Sequence, residues 1–482
     1  MAQTVQTDRA HVALIGTLDT KQAEYAFAAQ WLAANGCSVT ILDVSTRLPF
    51  SHLDELPALQ HVQTVSPLEL FSASSDKHDG ATPAQLKEQA SRLERHDLRA
   101  ALVDGCLAFL RARLRSGSSP PCDAPIDAIA SFGGSQNTSF ACTVMRNDAF
   151  KLGLPKFCLT TMASGDISQY IGESDICLMP SVGDISGSLN KITRTVLMSA
   201  SAAIAGMANA YHARHTQARG ADADDQRTED RPLIAVSMFG VTTPCVTAAS
   251  EALKRHGLEP VAFHATGTGG RTMERLIREN YFAGVLDLTT TEICDDLFSG
   301  VLSAGPDRLV SSASTAVPTV VSVGALDMIN FGPLSSLPPS LEIDAKEGAG
   351  PLHVNASGRK VWEHNESVSL LRTTPDENRR LGESVVERLM RGLRAAKSEG
   401  RKAREVKIVL PLHGVSMLDK QGEAFDDREA RQALFDAIES SAARAGDEAG
   451  LIKIIKVERH INDPEFAEMV ADLLVRQLQH AS

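Results

Sequence analysis

The chain has 482 residues, a formal net charge of -12 and a hydrophobic fraction of 43%. This length is enough for two or three domains that each bury a core. Because an acidic surface repels phosphates, the charge balance argues against a nucleic-acid partner. The eight cysteines include no CxxC pair, which argues against a zinc site or a disulfide framework.

The N-terminal residues lack the apolar centre of a signal peptide. No apolar run approaches the length of a membrane span. The sequence therefore predicts a cytoplasmic protein that has no membrane partner and keeps its thiols reduced.

The first predicted elements lie between His11 and Ser45. The apolar strand HVALIG ends at Gly16, and a helix with alanine, phenylalanine and leucine at helical spacing stops at Gly36. The strand SVTILDV follows. This order predicts a βαβ unit, which requires a parallel sheet with right-handed crossovers.

A second series of predicted strands and helices begins after a polar segment. Residues 213–231 are charged and nearly lack large apolar side chains, which is typical of a linker. The strand RPLIAVSMFG then ends at Gly240, a helix stops at Gly257, and the strand LEPVAFHAT comes next. The same order of strand, glycine, threonine-rich turn, helix and strand opens both halves.

The alternation continues to the end of the sequence. EVKIVLPLHG and LIKIIKVE are predicted strands, and the last helix begins near Pro464. We therefore predict an α/β fold of two Rossmann-like, doubly wound lobes with mostly parallel sheets and a cleft between them. Residues 1–212 form the nucleotide-binding lobe and residues 232–482 the second lobe.

In open parallel sheets, ligands bind beyond the carboxyl ends of the strands, so the turns there are candidate sites. The turn 16–21, GTLDTK, combines a glycine, two hydroxyls and a lysine with the positive end of a helix. The turn 132–138, FGGSQNT, has the composition of an anion-binding nest. Neither matches GxGxxG or GxxxxGK[ST]. The alternatives are a capped helix start for the first turn and a tight glycine turn for the second.

Two more turns carry polar groups, ASGD at 163–166 and HATGTGGR at 264–271. Arg271 is placed to pair with a carboxylate or phosphate, although the turn can also be read as a flexible loop. Asp43 ends the second strand, where a ribose contact is typical. Further polar candidates at strand ends are Glu292, Asp295, Asp327, Asn330, His460, Asn462 and Asp463, each of which is more often a cap or surface residue than a ligand.

The ordered motifs IGTLDTK, FGGS, MASGD, SMFGVTTPCV, FHATGTGGRTME, GVLDLTTTE, GALDMINFG, LPLHGVSMLD and HINDPEFAE resemble those of a known family. It is the ATP-binding family that includes the N-terminal region of the tomato mosaic virus resistance protein, and the resemblance covers residues 11–475. It implies two Rossmann-like lobes, ATP as cofactor and a homodimer. Longer members carry a following TIM-barrel domain, which for this chain would be a separate partner protein.

Carried over by motif, the resemblance places nucleotide contacts at Gly16, Thr17, Asp19, Lys21, Gly133, Gly134, Ser135, Ser164 and Gly165. Two departures are visible. GGSQNT stands where the family usually has GGSGGT. SSDKHDG stands where the family tends to have a Gly-Asp-Arg segment, which leaves open whether Lys77 replaces that arginine.

Three functions are compatible with these motifs. The first is an ATP-dependent enzyme acting on a small acid or a sugar-derived metabolite, with His264, Arg271, Glu292 and Asp327 as catalytic candidates. In it, carboxylates near the phosphates could hold Mg²⁺, and no residue is assigned as a metal ligand. The second is a nucleotide-responsive regulatory protein without catalysis. The third is a protein that binds a phosphorylated metabolite.

Overall fold

The chain forms two compact units, which are divided between Thr228 and Glu229. We refer to them as the N-terminal lobe and the C-terminal lobe. The computed structural model describes residues 9–48, 59, 62–114, 125–185, 188–217, 231–341, 350–355 and 357–480. Among the helices described, none is both long enough and apolar enough to cross a membrane.

The N-terminal lobe is built on a six-stranded parallel sheet. Its strands are β1 (Ala10–Gly16), β2 (Cys37–Asp43), β3 (Gln63–Val65), β4 (Ala128–Gly133), β5 (Lys156–Thr160) and β6 (Ile176–Pro180). Its helices are α1 (Leu18–Ala34), α2 (Pro67–Ala73), α3 (Pro83–Ser91), α4 (Arg95–Arg111), α5 (Ser135–Met145), α6 (Ser168–Ile171) and α7 (Lys191–Gln217). The strand order is β3-β2-β1-β4-β5-β6, so the winding reverses between β1 and β4. This is the strand order of the Rossmann fold.

The residues of β1 show why helices cover both faces of this sheet. Ala13 and Ile15 belong to one buried cluster, whereas Val12 and Leu14 belong to another. Alternate side chains of a strand point to opposite faces. An unbroken apolar strand such as HVALIG is therefore stable only where both faces are covered.

The predicted linker 213–231 overlaps the last helix of this lobe. Because α7 continues to Gln217, residues 213–217 are helical, which corrects that part of the prediction. The residue just before them, His212, is held by the buried Asp127, whose Oδ2 lies 2.9 Å from its Nδ1. Residues 218–230 lie outside the described residues.

The C-terminal lobe combines two sheets. Its strands are β7 (Leu233–Met238), β8 (Glu259–His264), β9 (Gly284–Thr289), β10 (Thr319–Gly324), β11 (Met328–Phe331), β12 (Leu352–Val354), β13 (Lys360–Asn365), β14 (Val368–Arg372), β15 (Val406–Pro411) and β16 (Ile452–Val457). Its helices are α8 (Thr243–Arg255), α9 (Thr268–Arg278), α10 (Glu292–Phe298), α11 (Val310–Ser314), α12 (Pro375–Ser398), α13 (Arg428–Ala443) and α14 (Pro464–Gln479). The parallel sheet has the order β16-β15-β10-β9-β7-β8, and the antiparallel sheet has the order β11-β14-β13-β12.

The prediction of two doubly wound α/β lobes is confirmed. Both parallel sheets share one five-strand order, which is β2-β1-β4-β5-β6 in the first and β8-β7-β9-β10-β15 in the second. This agreement matches the repeated order of elements in the sequence. The antiparallel sheet, inserted between β10 and α12, was not predicted.

His11, near the amino end of β1, should make the stability of the N-terminal lobe depend on pH. Its ring nitrogens lie 2.8 Å from Ser38 Oγ and 3.0 Å from Thr40 Oγ1. Burial lowers the pKa of His11 to about 4, against an opposing attraction from Asp127. As the pH falls, His11 therefore takes up a proton near pH 6.5 in the unfolded chain but only near pH 4 in the folded chain. We therefore expect the free energy of unfolding to decrease as the pH falls from 6.5 towards 4, by up to about 3 kcal/mol.

We expect His11→Gln to remove this acid sensitivity. Urea unfolding of both proteins across this pH range should show the wild type losing stability relative to the variant on the acid side. The matched control is His96→Gln, since the side chain of His96 is 82% exposed. If wild type and His11→Gln lose stability in parallel, His11 does not carry the effect.

Candidate functional site

The carboxyl edge of the N-terminal sheet gathers the predicted nucleotide contacts. Residues 16–21 follow β1 and residues 133–138 begin at the end of β4, on either side of the point where the winding reverses. Asp43 ends β2, while Ser164 and Gly165 follow β5 and are exposed. All ten predicted residues of this lobe thus lie at one edge, where ligands of doubly wound sheets bind.

Tyr25 of α1 ties the ends of β1 and β4 together. Its hydroxyl lies 2.6 Å from Ile15 O and accepts a hydrogen bond from Phe132 N at 3.0 Å. A Cβ on Gly16 would lie 2.0 Å from the Tyr25 ring. Gly16 is therefore required by the packing of Tyr25, which differs from the predicted reason, close approach to a ligand.

Gly133 is explained in the same way. A Cβ at this position would lie 2.8 Å from Nδ2 of Asn137. That amide nitrogen donates to Ser131 Oγ at 2.9 Å and to Phe132 O at 3.0 Å. Gly134 differs, since a Cβ there would meet only Thr161 Oγ1, at 3.7 Å. Of the glycines at 16, 133 and 134, only Gly134 faces open space.

The first turn of α1 is capped by the chain itself. Leu18 N donates to Asp43 Oδ1 at 3.2 Å, and Asp19 N donates to Ser45 Oγ at 3.1 Å. Asp43 is 3% exposed, and burial raises its pKa. Asp43, predicted to contact a ribose, instead caps α1, and these contacts favour the capped-helix alternative. Lys21 remains near the turn, where its Nζ donates to Thr20 Oγ1 at 3.3 Å.

The first turn of α5 is open by contrast. Gly134 is its N-cap, no side chain caps it, and its first turn holds no acidic residue. Ser135 and Gln136 are exposed. Within the described chain, their N–H groups donate to no acceptor. An α-helix leaves such N–H groups without intrahelical partners, and an anion can accept from them.

Two arginines of α4, which sequence reasoning missed, flank this turn. Arg95 Nη2 donates to Gln136 Oε1 at 3.3 Å. Arg99 Nη2 donates to Gln136 O at 3.4 Å and to Ser139 Oγ at 2.9 Å. Burial and the charge of Arg95 lower the pKa of Arg99. The signal in the sequence was two arginines four residues apart, which share a helix face.

Lys77 was left open as a replacement for the family's arginine. It is exposed in a short 3-10 turn, Asp76–His78. Its backbone N–H donates to Ser75 Oγ at 3.3 Å. The cations found at α5 are therefore Arg95 and Arg99.

The glycine-rich turn of the C-terminal lobe holds an internal anion. Gly267 N and Gly270 N donate to Glu292 Oε1 at 2.7 and 3.0 Å. A Cβ on Gly270 would lie 2.1 Å from Glu292 Oε2. We expected this turn to receive an external ligand, but the chain's own carboxylate fills it. Arg271, which is exposed, donates to Ser303 O at 2.9 Å.

Glu292 is held in a buried ion-pair network around Arg308. Arg308 is 0% exposed, and its Nε donates to Glu292 Oε2 at 2.7 Å. Its Nη2 donates to Asp287 Oδ1 at 2.7 Å, and its Nη1 lies 3.3 Å from Glu274 Oε1. Glu292, predicted as a catalytic candidate, has both oxygens engaged in this network, so its observed role is structural.

Asp327 lies in a different buried cluster. Its Oδ2 accepts from Ser416 Oγ at 2.7 Å, and Ser416 O lies 2.9 Å from His460 Nε2. Burial, and then the charge of Asp419, raise the pKa of Asp327 to about 7. His264, in contrast, is exposed at the end of β8. Glu292 and Asp327 therefore have separate hydrogen-bond partners.

The remaining polar candidates hold loops together. Asn462 Oδ1 accepts from Cys245 N at 3.3 Å and thereby caps α8. Asp295 accepts from Leu302 N at 2.7 Å and from Asn330 N at 2.8 Å. Burial raises the pKa of Asp295 to about 7. These contacts satisfy backbone N–H groups at strand and helix ends.

Family models match both lobes. The N-terminal domain model of the Uncharacterised protein family (UPF0261) matches residues 10–213, and its C-terminal domain model matches residues 231–478. The chain belongs to the UPF0261 family. The membership predicted from the motifs is thereby confirmed, whereas ATP binding in this UPF0261 chain stays a prediction.

Relatives of this UPF0261 chain occur in bacteria and in a plant. A UPF0261 protein of Mesorhizobium japonicum is 39% identical over 96% of this chain and 98% of its own length. One from Clostridium tetani is 33% identical over 97% of this chain and 99% of its own length. The ToMV resistance protein Tm-1(GCR237) of Solanum lycopersicum is 38% identical over 71% of this chain and 40% of its own length.

Proposed function

We propose that the chain is an ATP-binding protein whose N-terminal lobe holds the phosphates on the first turn of α5. One observation carries this proposal. The N-terminus of α5 opens at the point where the winding of the sheet reverses, and Ser135 and Gln136 offer N–H groups that no residue of the described chain accepts. Such an N-terminus attracts phosphate through its donors and its positive dipole end.

The contrast with α1 supports a narrower placement of the phosphates than the motifs do. The N–H groups of Leu18 and Asp19 are already bonded to Asp43 and Ser45. In this proposal the phosphates lie on FGGS, and Lys21 and the hydroxyls of GTLDTK belong to the turn after the neighbouring strand β1. The family resemblance supplies the nucleotide, ATP.

Gly134→Leu tests this site without a change of backbone strain. Gly134 has φ -87° and ψ -166°, which a leucine can adopt, and a Cβ there has room. The added side chain should cover the first turn of α5 and weaken ATP binding at least about tenfold, with an unchanged melting temperature. Calorimetric titration with ATP measures the loss. The control is Gly206→Leu, at an exposed helical glycine where no residue of the described ranges lies within 4 Å of an added Cβ.

The same titrations separate the other functions. If the wild-type protein binds a sugar phosphate but no adenine nucleotide, its ligand is a phosphorylated metabolite and not ATP. If ATP binds but stays intact after incubation with the protein, Mg²⁺ and a panel of small acids, a binding or regulatory role is supported. Consumption of ATP would make the chain an enzyme.

A further inference from the structure

Positive charge without a counterion borders the proposed phosphate site. Arg95 and Arg99 lie one turn apart on α4 and both contact Gln136 in the first turn of α5. Neither forms an ion pair with a carboxylate within the described chain. Like charges at this spacing repel each other, and the positive end of α5 adds to the repulsion.

The acidic residues nearest in sequence do not relieve this charge. Glu94 is the N-cap residue of α4, and Asp97 pairs with His96 at 3.2 Å. Gln136 supplies only neutral acceptors at 3.3 and 3.4 Å. Charge-assisted hydrogen bonds between arginine and phosphate are typically shorter, about 2.7–2.9 Å, and roughly twice as strong as neutral ones. An anion would therefore displace Gln136 from both guanidinium groups.

A second polar group in the same turn is also incomplete. Asn137 is 4% exposed, and its Oδ1 is buried without a hydrogen-bond partner within the described chain. Buried polar atoms of native proteins are almost always paired. The Asn137 amide nitrogen donates to Ser131 and Phe132 at the end of β4, so this oxygen is buried with that strand end, and the arginines are the charged groups beside the turn.

We infer that Arg95 and Arg99 bind the outer phosphates of a polyphosphate chain and make the site selective for ATP and ADP over AMP. This inference rests on the proposed function. The N–H groups of Ser135 and Gln136 hold one phosphate, and the two guanidinium groups beside them require at least one more. Two full charges and the helix end balance a di- or triphosphate better than a monophosphate.

The test compares three ligands on four proteins. Calorimetric titrations with ATP, ADP and AMP use wild type, Arg95→Gln, Arg99→Gln and Arg111→Gln. Each of the first two variants should lose at least about tenfold in ATP affinity and much less in AMP affinity. Arg111 is the matched control, since it is exposed at the other end of α4, where its Nη2 donates to Asn147 Oδ1 at 3.0 Å.

A second readout excludes a merely structural role. Removing one of two repelling charges should leave the melting temperature of the ligand-free protein unchanged or raised, while the shift produced by ATP shrinks. An unchanged ratio of ATP to AMP affinity in Arg95→Gln and Arg99→Gln would overturn the inference. If wild type binds no nucleotide, the proposed function fails, and titration with inorganic tripolyphosphate then decides the arginine site separately. If tripolyphosphate binds the wild type and binding is lost in Arg95→Gln and Arg99→Gln, the arginine site is supported. If tripolyphosphate does not bind the wild type, the arginine site is rejected.

Discussion

Replacing Arg308 with methionine should destabilise the C-terminal lobe by about 3–5 kcal/mol, the largest effect expected for any single change described. Arg308 is fully buried and is bonded to Asp287, Glu274 and Glu292. Methionine fills much of the same volume but leaves three carboxylates without their cation. Removing one partner of a buried ion pair costs more than the pair itself contributes.

The pH dependence of Arg308→Met distinguishes this cause from a packing defect. Burial already raises the pKa of Glu292, and the charge of Arg308 opposes that rise. Without Arg308 the pKa should rise further. A carboxyl group whose folded pKa lies above its unfolded value destabilises the protein at neutral pH, and this penalty fades as the pH falls. The deficit of Arg308→Met should therefore shrink between pH 7 and pH 5.

Urea unfolding at the two pH values measures both effects. The control is Arg391→Met, because Arg391 pairs with Asp307 at 3.0 Å while their side chains are 48% and 76% exposed. Exposed pairs contribute about 1 kcal/mol or less. A deficit of Arg308→Met that matches this control, or that does not change with pH, would contradict the account of the network.

The doubly wound architecture was predictable because its signal is local. Each strand such as HVALIG is an unbroken apolar run followed by a glycine turn and a helix, and that order requires parallel strands. The antiparallel sheet gave a weaker signal. Strand β12 has three residues, and two of them, Leu352 and Val354, are 37% and 56% exposed. Short, half-exposed strands have no pattern that separates them from loops.

The groups that accept hydrogen bonds from these turns could not be predicted, because they lie on other elements. Composition indicated GTLDTK and GTGGR as turns that receive an acidic group. The acceptors are Asp43 and Glu292, whose partners lie 25 and 22 residues away along the chain. Only the folded register decides whether a carboxylate of the protein or of a ligand meets those N–H groups. Arg95 and Arg99 were missed for the same reason, since α4 meets α5 only in the folded lobe.

The second large effect on stability is expected for Gly269→Ala, in the GTGGR turn of the C-terminal lobe. A Cβ at this position would lie 1.8 Å from the backbone oxygen of His264. That oxygen ends β8 and cannot move without disturbing the strand. We therefore expect a loss of about 3 kcal/mol, at the upper end for an overpacked site.

Gly240→Ala is the matched control for this substitution. Gly240 also follows a strand of the C-terminal lobe, but a Cβ there would have no neighbour within 4 Å among the described residues. Its unfolding free energy should stay within about 0.5 kcal/mol of the wild type. If the glycines of GTGGR instead serve an external ligand, Gly269→Ala would keep the stability of the wild type and lose only binding. Because the Glu292 carboxylate already accepts from Gly267 and Gly270, we expect the loss in stability.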